Sequence, residues 1–393
     1  MMGSLITKAA ALGRALLSRR IVIKCDGLSY VFDKVPYRKI LNWVIVEASC
    51  RLRPLVPWGR PTHAQIEPAG TCNLRCTLCP VTGQMKRKQG LMELATFRKF
   101  IDDVGDYLFL ILLWDWGEPL LNPRLFEMVA YAKTKGIKLV TSTNAHLLTD
   151  RDLCRRLIES GLDTVIVAVD GLSQETYATY RRGGDLSVVF KGIRTLAEER
   201  SHLQSETPLI NLRFIPMKHN EHEIAGLRKV GADLGVDIVT LKSLNPGAGC
   251  TYDGQPEAQD GQDSLECREP RLRRFKRDEK TGRPLRRKRN ACKNLWNSPT
   301  IHFNGALCPC TYDFDEQFAM GNLNESGFMS IWKGEPYRRM RQAMRGGDPS
   351  CSFCHDCSYA FVGGNCIDET ILDVFTVDKK AIESPIANAG VQA

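Results

Sequence analysis

The chain has 393 residues, a formal net charge of +9 and fifteen cysteines. That length holds one large or two medium domains with a real core. No apolar run reaches the roughly 18 residues of a membrane span, and the start of the chain lacks the small-residue cleavage site of a secretory signal. The expected setting is therefore cytoplasmic, where thiols stay reduced and many cysteines point to metal or cluster sites rather than disulfides. The charge is local: Arg271 to Asn290 holds eleven Lys and Arg against Asp278 and Glu279, which accounts for the whole excess.

Residues 1–24 place Leu5, Ala9, Leu12 and Leu16 at helical spacing among Lys8, Arg14, Arg19, Arg20 and Lys24, with no acid. This is an amphipathic basic helix. It suits peripheral contact with an anionic membrane or packing on the protein's own surface, and the second reading is preferred. Residues 25–62 read as a connector ending in the Pro-rich RPLVPWGRP. From His63 the pattern alternates. Strand-like runs are His63–Glu67, Leu108–Trp114, Ile137–Thr143, Asp163–Val169, Leu209–Met217 and Val236–Leu241. Helical segments lie between them near Leu94–Val104, Pro123–Lys135, Asp150–Glu159, Ser187–Glu199 and Glu221–Leu234. Repeated strand–helix units imply parallel strands with helices outside, and six units are too few for a closed eight-fold barrel.

Three cysteines crowd the turn after the first strand: Cys72, Cys76 and Cys79, in CNLRCTLC. Thiolates hold iron–sulfur clusters and zinc. Three of them leave one corner of a cubane cluster without a protein ligand, and an open metal position is where catalysis happens. Zinc motifs normally come as paired C-x2-C, but spacing alone leaves open a zinc loop with a distant fourth ligand. Residues 244–291 read as a polar, basic linker whose charged run is a solvated loop; only Phe275 interleaves it, so nucleic-acid stacking is poorly supported. A second cysteine field follows, at Cys292, Cys308, Cys310, Cys351, Cys354, Cys357 and Cys366.

CNLRCTLCP after a strand resembles the cluster loop of the radical S-adenosylmethionine (radical SAM) enzymes. The resemblance implies an α/β fold, a partial (βα)6 barrel with a small C-terminal iron–sulfur domain. It also implies that Cys72, Cys76 and Cys79 bind a 4Fe–4S cluster whose fourth iron is chelated by S-adenosylmethionine. An electron from the cluster then yields methionine and a 5′-deoxyadenosyl radical, which takes a hydrogen atom from substrate. Trp116-Gly117-Glu118-Pro119 stands where the family has a Gly-Gly-Glu-Pro loop that receives the cofactor's ammonium. Ser142 and Asn144 stand at the family's ribose and methionine contacts. Asp170 ends the fourth strand, and Arg181, in YRRGGDL, matches an Arg near the cofactor. Trp116, Ala145 and Ala168 depart from the family's usual Gly, Gly and Ser.

The second field resembles the SPASM/twitch extension of that family. The match is a cysteine, then Gly305 ahead of Cys310, then GNL, IW and a late C-x2-C. After Cys354 the next cysteine comes three residues on, not six, so one auxiliary 4Fe–4S cluster is expected, on Cys292, Cys310, Cys351 and Cys354. Cys308 and Cys357 are the substitutes. Asp313 is the nearest candidate base by sequence, or else a cap for the turn after Cys310. The domains expected are 1–60, N-terminal helix and connector; 61–243, barrel; 244–291, linker; 292–366, auxiliary-cluster domain; and 367–393, tail.

The favoured function is hydrogen abstraction from a small molecule, in oxidation or epimerisation of a carbohydrate or aminocyclitol. It rests on the single auxiliary cluster and on the lack of an obvious peptide-binding module in residues 1–62. A maturase of ribosomally made peptides is the alternative, and a non-catalytic iron–sulfur or zinc protein that binds RNA is the third reading. A flavodoxin or ferredoxin is the expected reductant.

Overall fold

The computed structural model describes residues 16–245, 265–281, 285, 292–346 and 371–377. Residues 16–18 are helical, and strand β1 (Ile21–Cys25) follows at once, so the helix expected over 1–24 stops short of its expected end. β1 pairs antiparallel with β2 (Leu28–Phe32), Ile21 opposite Phe32 and Cys25 opposite Leu28. Asp26 and Gly27 make the turn with φ of 58° and 81°. Positive φ at both turn residues fits the right-handed twist of a hairpin, and an Asp-Gly pair favours it. Helix α1 (Tyr37–Leu52) completes a stretch that the sequence pattern left as a connector.

Six parallel strands come next: β3 (His63–Ile66), β4 (Leu110–Leu112), β5 (Lys138–Thr143), β6 (Thr164–Ala168), β7 (Leu209–Phe214) and β8 (Ile238–Lys242), neighbours in that order. Between them run α2 (Leu94–Val104), α3 (Leu125–Lys133), α4 (Arg151–Glu159), α5 (Gln174–Tyr180), α6 (Leu186–His202) and α7 (Leu227–Leu234). The helical pattern expected over 221–234 divides into a 3-10 stretch, Glu221–Gly226, and α7. Gly226 at the junction is a poor helix former. Helix α5, in the YATYRRGGDL stretch, carries a Ser173 capping box that the apolar periodicity did not reveal.

Side chains alternate across each strand. One set, with Ile111, Leu139, Val165, Val167, Leu212 and Val239, packs against the helices. The other faces the lumen, and there Leu110, Leu112, Val140, Ile166 and Ile238 meet Ile21, Ile23, Leu28, Tyr30 and Phe32 of the hairpin. The hairpin is therefore a plug. Tyr30 is fully enclosed, and its hydroxyl lies 3.3 Å from Thr164 Oγ1.

Both sheet edges are extended. β9 (Thr300–Ile301) adds parallel to β3, followed by antiparallel β10 (Ala306–Cys308) and β11 (Gly321–Asn322). β12 (Ile371–Thr376) adds antiparallel to β8. Among the described residues the result is one ten-stranded sheet. Helices α8 (Asn294–Asn297), α9 (Phe328–Lys333) and α10 (Glu335–Gly346) accompany the added strands. Phe328 packs edge-on to Phe100 of α2 at 5.0 Å and stacks on Trp332 at 5.7 Å, which ties this unit to the barrel. No described helix is long and apolar enough to cross a membrane.

A plug inside the core has a measurable weight. Tyr30→Ala should cost about 3–5 kcal/mol. Val22→Ala, on the hairpin's outer side, should stay within about 0.5 kcal/mol. Urea midpoints at constant slope test this, and equal small losses would place the hairpin outside the core.

Candidate active site

The carboxyl ends of the strands open into a cavity of about 280 Å³. Its wall joins Cys72, Cys76 and Cys79 after β3, Gly117 and Glu118 after β4, and Ser142 and Asn144 at the end of β5. Arg181 lies after α5, and Lys242 to Asn245 end β8. Catalytic groups in parallel barrels gather at this end of the strands.

The cysteine loop is held from one side by the end of α5. The Arg75 amide donates to Arg182 O at 2.9 Å, and the Thr77 amide to Tyr180 O at 2.9 Å. Burial pushes the Cys72 thiol up to about 11 and the Cys79 thiol up to about 12. Free thiolates are thus disfavoured here, and metal coordination is what deprotonates such groups. Arg181 Nη1 stands 3.7 Å from Cys76 Sγ. Among the described residues, no set of three or more His, Cys, Asp and Glu side chains is arranged to hold a metal ion. A cubane does not ask for that, since each of its cysteines takes a different iron. The donor set fits an iron–sulfur cluster better than zinc, whose four ligands meet on one ion.

Gly117 is required by its backbone. Its φ is +111°, and an added Cβ would collide with the Ala69 carbonyl. The Glu118 carboxylate accepts from the amides of Leu120 at 3.1 Å and Asn144 at 2.8 Å. Burial raises its pKa against those bonds. A carboxylate has about four acceptor sites, so it retains capacity for a bound cation. Asn144 Nδ2 reaches back to Asn73 Oδ1 at 2.7 Å, inside the cysteine loop.

Not every residue named from sequence reaches the cavity. Pro119 is buried at the start of a 3-10 turn. Asp170 sits behind Arg181, bonded to its Nε and Nη2 at 2.6 Å, and its other oxygen accepts the Ile215 amide at 2.8 Å. Asp170 thus orients the guanidinium rather than touching the cavity. Asp313 is enclosed, and its two oxygens accept the amides of Gln317 at 2.9 Å and Phe318 at 3.0 Å. That is the geometry of a turn cap. Cys310 is buried and Cys292 partly so. Cys308 is fully buried, with its sulfur 3.6 Å from His302 Nδ1. Cys351, Cys354 and Cys357 lie outside the described residues.

Sequence reading missed Trp114, Lys242, Asn245 and Arg274, all on the cavity wall. Arg274 belongs to the basic run expected to be solvated. Its neighbours Arg273 and Arg277 are engaged as well, with Cys267 O at 2.7 Å and with Glu266 at 2.8 Å. Trp116, standing in place of the family's glycine, sends its indole N–H to Thr311 O at 2.7 Å and packs edge-on to Phe314. It bridges the β4 loop to the second cysteine field.

A buried ionic network follows the same seam. Arg87 Nη2 pairs with Glu67 at 2.5 Å and Nη1 with Glu316 at 3.8 Å. His302 lies 3.0 Å from Glu316 and 3.6 Å from Asp115. Burial would lower the His302 pKa, but Cys308, Glu67 and Asp115 outweigh it and raise it. Removing one partner of a buried pair strands the other charge, at a cost of about 3–5 kcal/mol. Arg87→Met should lose stability on that scale, and adding Glu67→Gln should recover part of it. Urea denaturation of the two variants checks this; an unchanged midpoint for Arg87→Met would remove the network's role.

Two family models match the chain: the radical SAM superfamily over residues 66–214, and the SPASM iron–sulfur cluster-binding domain over residues 292–358. The chain is 29% identical over 186 residues to the tungsten-containing aldehyde ferredoxin oxidoreductase cofactor-modifying protein of Pyrococcus furiosus, covering 47% of this chain and 52% of that one. It is 28% identical over 203 residues to the Fe-coproporphyrin III synthase of Methanosarcina barkeri, covering 51% and 46%. The chain thus spans about half the length of these curated relatives. Streptococcus suis SuiB, solved bound to its precursor peptide SuiA, shares the fold at a TM-score of 0.55. It is 15% identical, with 92% of this chain and 84% of that one covered. The chain therefore belongs to the radical SAM superfamily and carries a C-terminal SPASM domain, with S-adenosylmethionine, a 4Fe–4S cluster and an auxiliary cluster as its cofactors.

Proposed function

We propose that this protein takes a hydrogen atom from a small-molecule substrate, with oxidation or epimerisation of a carbohydrate or aminocyclitol as the reaction. The observation that carries the reading is the shared cavity. It brings together the three loop cysteines, the acceptors Glu118 and Asn144, the Arg181 fork and a separate wall at the end of β8. Its volume, about 280 Å³, lies near the lower end of small-ligand sites, roughly 300–1,000 Å³. The preference for a small molecule over a peptide rests on the single auxiliary cluster expected from the cysteine spacing.

When bound, the cluster and S-adenosylmethionine supply a 5′-deoxyadenosyl radical. The chain's own residues orient the cofactor. Glu118 and the Gly117 carbonyl would receive its ammonium, and that cation would draw the raised Glu118 pKa back down. Arg181, held by Asp170, offers its remaining donors to a carboxylate. An alcohol carbon that has lost a hydrogen atom must shed one electron and one proton to become a carbonyl. A cluster closed by Cys292, Cys310, Cys351 and Cys354 is suited to accept that electron rather than to bind substrate. We place the protein in the cytoplasm with a flavodoxin or ferredoxin as reductant. Membrane contact through residues 1–24 remains an expectation from sequence.

Anaerobically reconstituted protein should hold about eight irons per chain, and a Cys72→Ala/Cys76→Ala/Cys79→Ala variant about four. With dithionite and S-adenosylmethionine the wild type should form 5′-deoxyadenosine, and each single cysteine variant of the loop should form none. Stoichiometric zinc without iron, or product from Cys76→Ala, would sink the assignment.

The auxiliary cluster decides the reaction type. A Cys351→Ala/Cys354→Ala variant given the substrate should still cleave the cofactor but make less than about a tenth of the oxidised product, a loss of at least about 1.4 kcal/mol in the rate-limiting step. Full formation of the oxidised product would leave the auxiliary cluster a structural role and remove it as the electron acceptor.

A further inference from the structure

We infer that the substrate carries an anionic group, a carboxylate or a phosphate, and that Lys242 and Arg274 receive it in the cavity that the loop cysteines line. The inference rests on the reading above, because it assigns the substrate side of the same site.

The first observation is a charge arrangement in the lumen. Asp26, at the tip of the plug hairpin, is 1% exposed and pairs with Arg213 at 2.5 Å and Lys242 at 3.0 Å. Two cations share one carboxylate. Among the described ion pairs, neither has another acid. Arg213 Nε donates to Thr240 Oγ1 at 3.2 Å, and the Thr240 hydroxyl donates to Asn211 Oδ1 at 3.0 Å. Arg213 Nη2 and Asn211 Nδ2 are buried without a hydrogen-bond partner. The lumen beneath the cavity thus holds more donors and more positive charge than the pairs shown there answer. Buried charge is costly unless paired, and an incoming anion offsets that cost.

The second observation is where that charge surfaces. On β8 the inward-facing residues are Ile238, which packs on the hairpin, then Thr240, then Lys242. Lys242 is the last of them and lines the cavity, with 23% of its side chain exposed. An ammonium has three donors, and Asp26 takes one.

A third observation comes from a distant stretch of chain. Arg274 lines the same cavity and donates Nη2 to the Tyr312 hydroxyl at 3.2 Å. Asn245 Nδ2 donates to that hydroxyl at 3.2 Å as well. A guanidinium fork and an ammonium together match the oxygens of a carboxylate or phosphate. The acids on the cavity wall do not compete. Glu118 accepts two backbone amides, and its remaining capacity is assigned to the cofactor's ammonium in the reading above. The Asp115 side chain is 1% exposed and turned to His302. Arg181, the remaining cation, is committed to Asp170 and the cofactor side.

The test uses the reconstituted, dithionite-reduced full chain with S-adenosylmethionine. Two probes are titrated: inorganic phosphate, read by 31P NMR, and carboxyl-13C succinate, read by 13C NMR. The unpaired electron of the reduced cluster broadens nuclei that bind near it. At least one probe should broaden saturably with the wild type. Lys242→Met and Arg274→Met should each weaken its apparent affinity tenfold or more. Lys242→Arg, which keeps the charge, should hold it within threefold and guards against a folding artefact. Lys229→Met, from an exposed pair with Asp233, is the control. No saturable broadening with the wild type, or undiminished broadening with the Lys242→Met/Arg274→Met double variant, overturns the inference. Wild type that forms 5′-deoxyadenosine yet binds neither probe loses the anion subsite and keeps the proposed reaction. Wild type that forms no 5′-deoxyadenosine overturns the reaction and the inference together.

Discussion

A parallel sheet of six strands, curved but not closed, leaves two bare edges and an open lumen. Parallel strands are buried on both faces, and an unpaired edge exposes a row of amides and carbonyls. Among the described residues, three added elements answer those demands. β9 covers the β3 edge, β12 covers the β8 edge, and the β1–β2 hairpin fills the lumen. The second cysteine field is therefore not an appendage on a tether. Its first strand is hydrogen-bonded to the strand that leads into the cluster loop, so the positions of Cys308 and Cys310 are fixed relative to the cavity by sheet register.

Register alone does not set the approach of side chains, and the buried polar seam does that. Arg87 lies eight residues past Cys79 and reaches Glu67 at the end of β3, Glu316, and the carbonyl of Phe314. Asp115 reaches Thr311 and stands beside His302. Such pairs add little net stability, because desolvation offsets their attraction. They make misalignment expensive instead. A shift of the second field against the barrel would leave several charges buried and unpaired at once. Trp116 belongs to the same seam, and its bond to Thr311 gives a physical reason for a large residue where the related loops carry glycine.

The parts legible in the sequence were those whose information is local. Three cysteines within eight residues declare a cluster loop wherever the chain goes, and apolar runs with short turns declare alternating strands and helices. The hairpin carried its own signal, Asp26-Gly27 between two alternating runs, yet nothing local tells that Tyr30 will end inside a barrel against Thr164. Arg274 was hidden for the opposite reason. Within a run of eleven basic residues composition argues for solvent, and only tertiary contact with Tyr312 singles it out. Lys242 ends an apolar strand as an ordinary strand-end lysine, and its meaning depends on Asp26, more than two hundred residues earlier. Asp170 follows the fourth barrel strand as the pattern has it, but its partner, Arg181, decides what it does.

Asp26 joins the two levels of the structure. Burial would raise its carboxyl pKa, but Arg213 and Lys242 outweigh that and lower it. A depressed carboxyl pKa contributes stability that is present above the unfolded value and lost only as pH falls through the folded one. Across neutral pH the hairpin tip is thus held in the lumen by charge as well as by its apolar strands. The same carboxylate holds the ammonium of Lys242, a residue that lines the cavity. The segment that seals the bottom of the barrel therefore also sets the charge presented at its top. Asp26 thus connects the hairpin to the cavity wall directly, through its pair with Lys242.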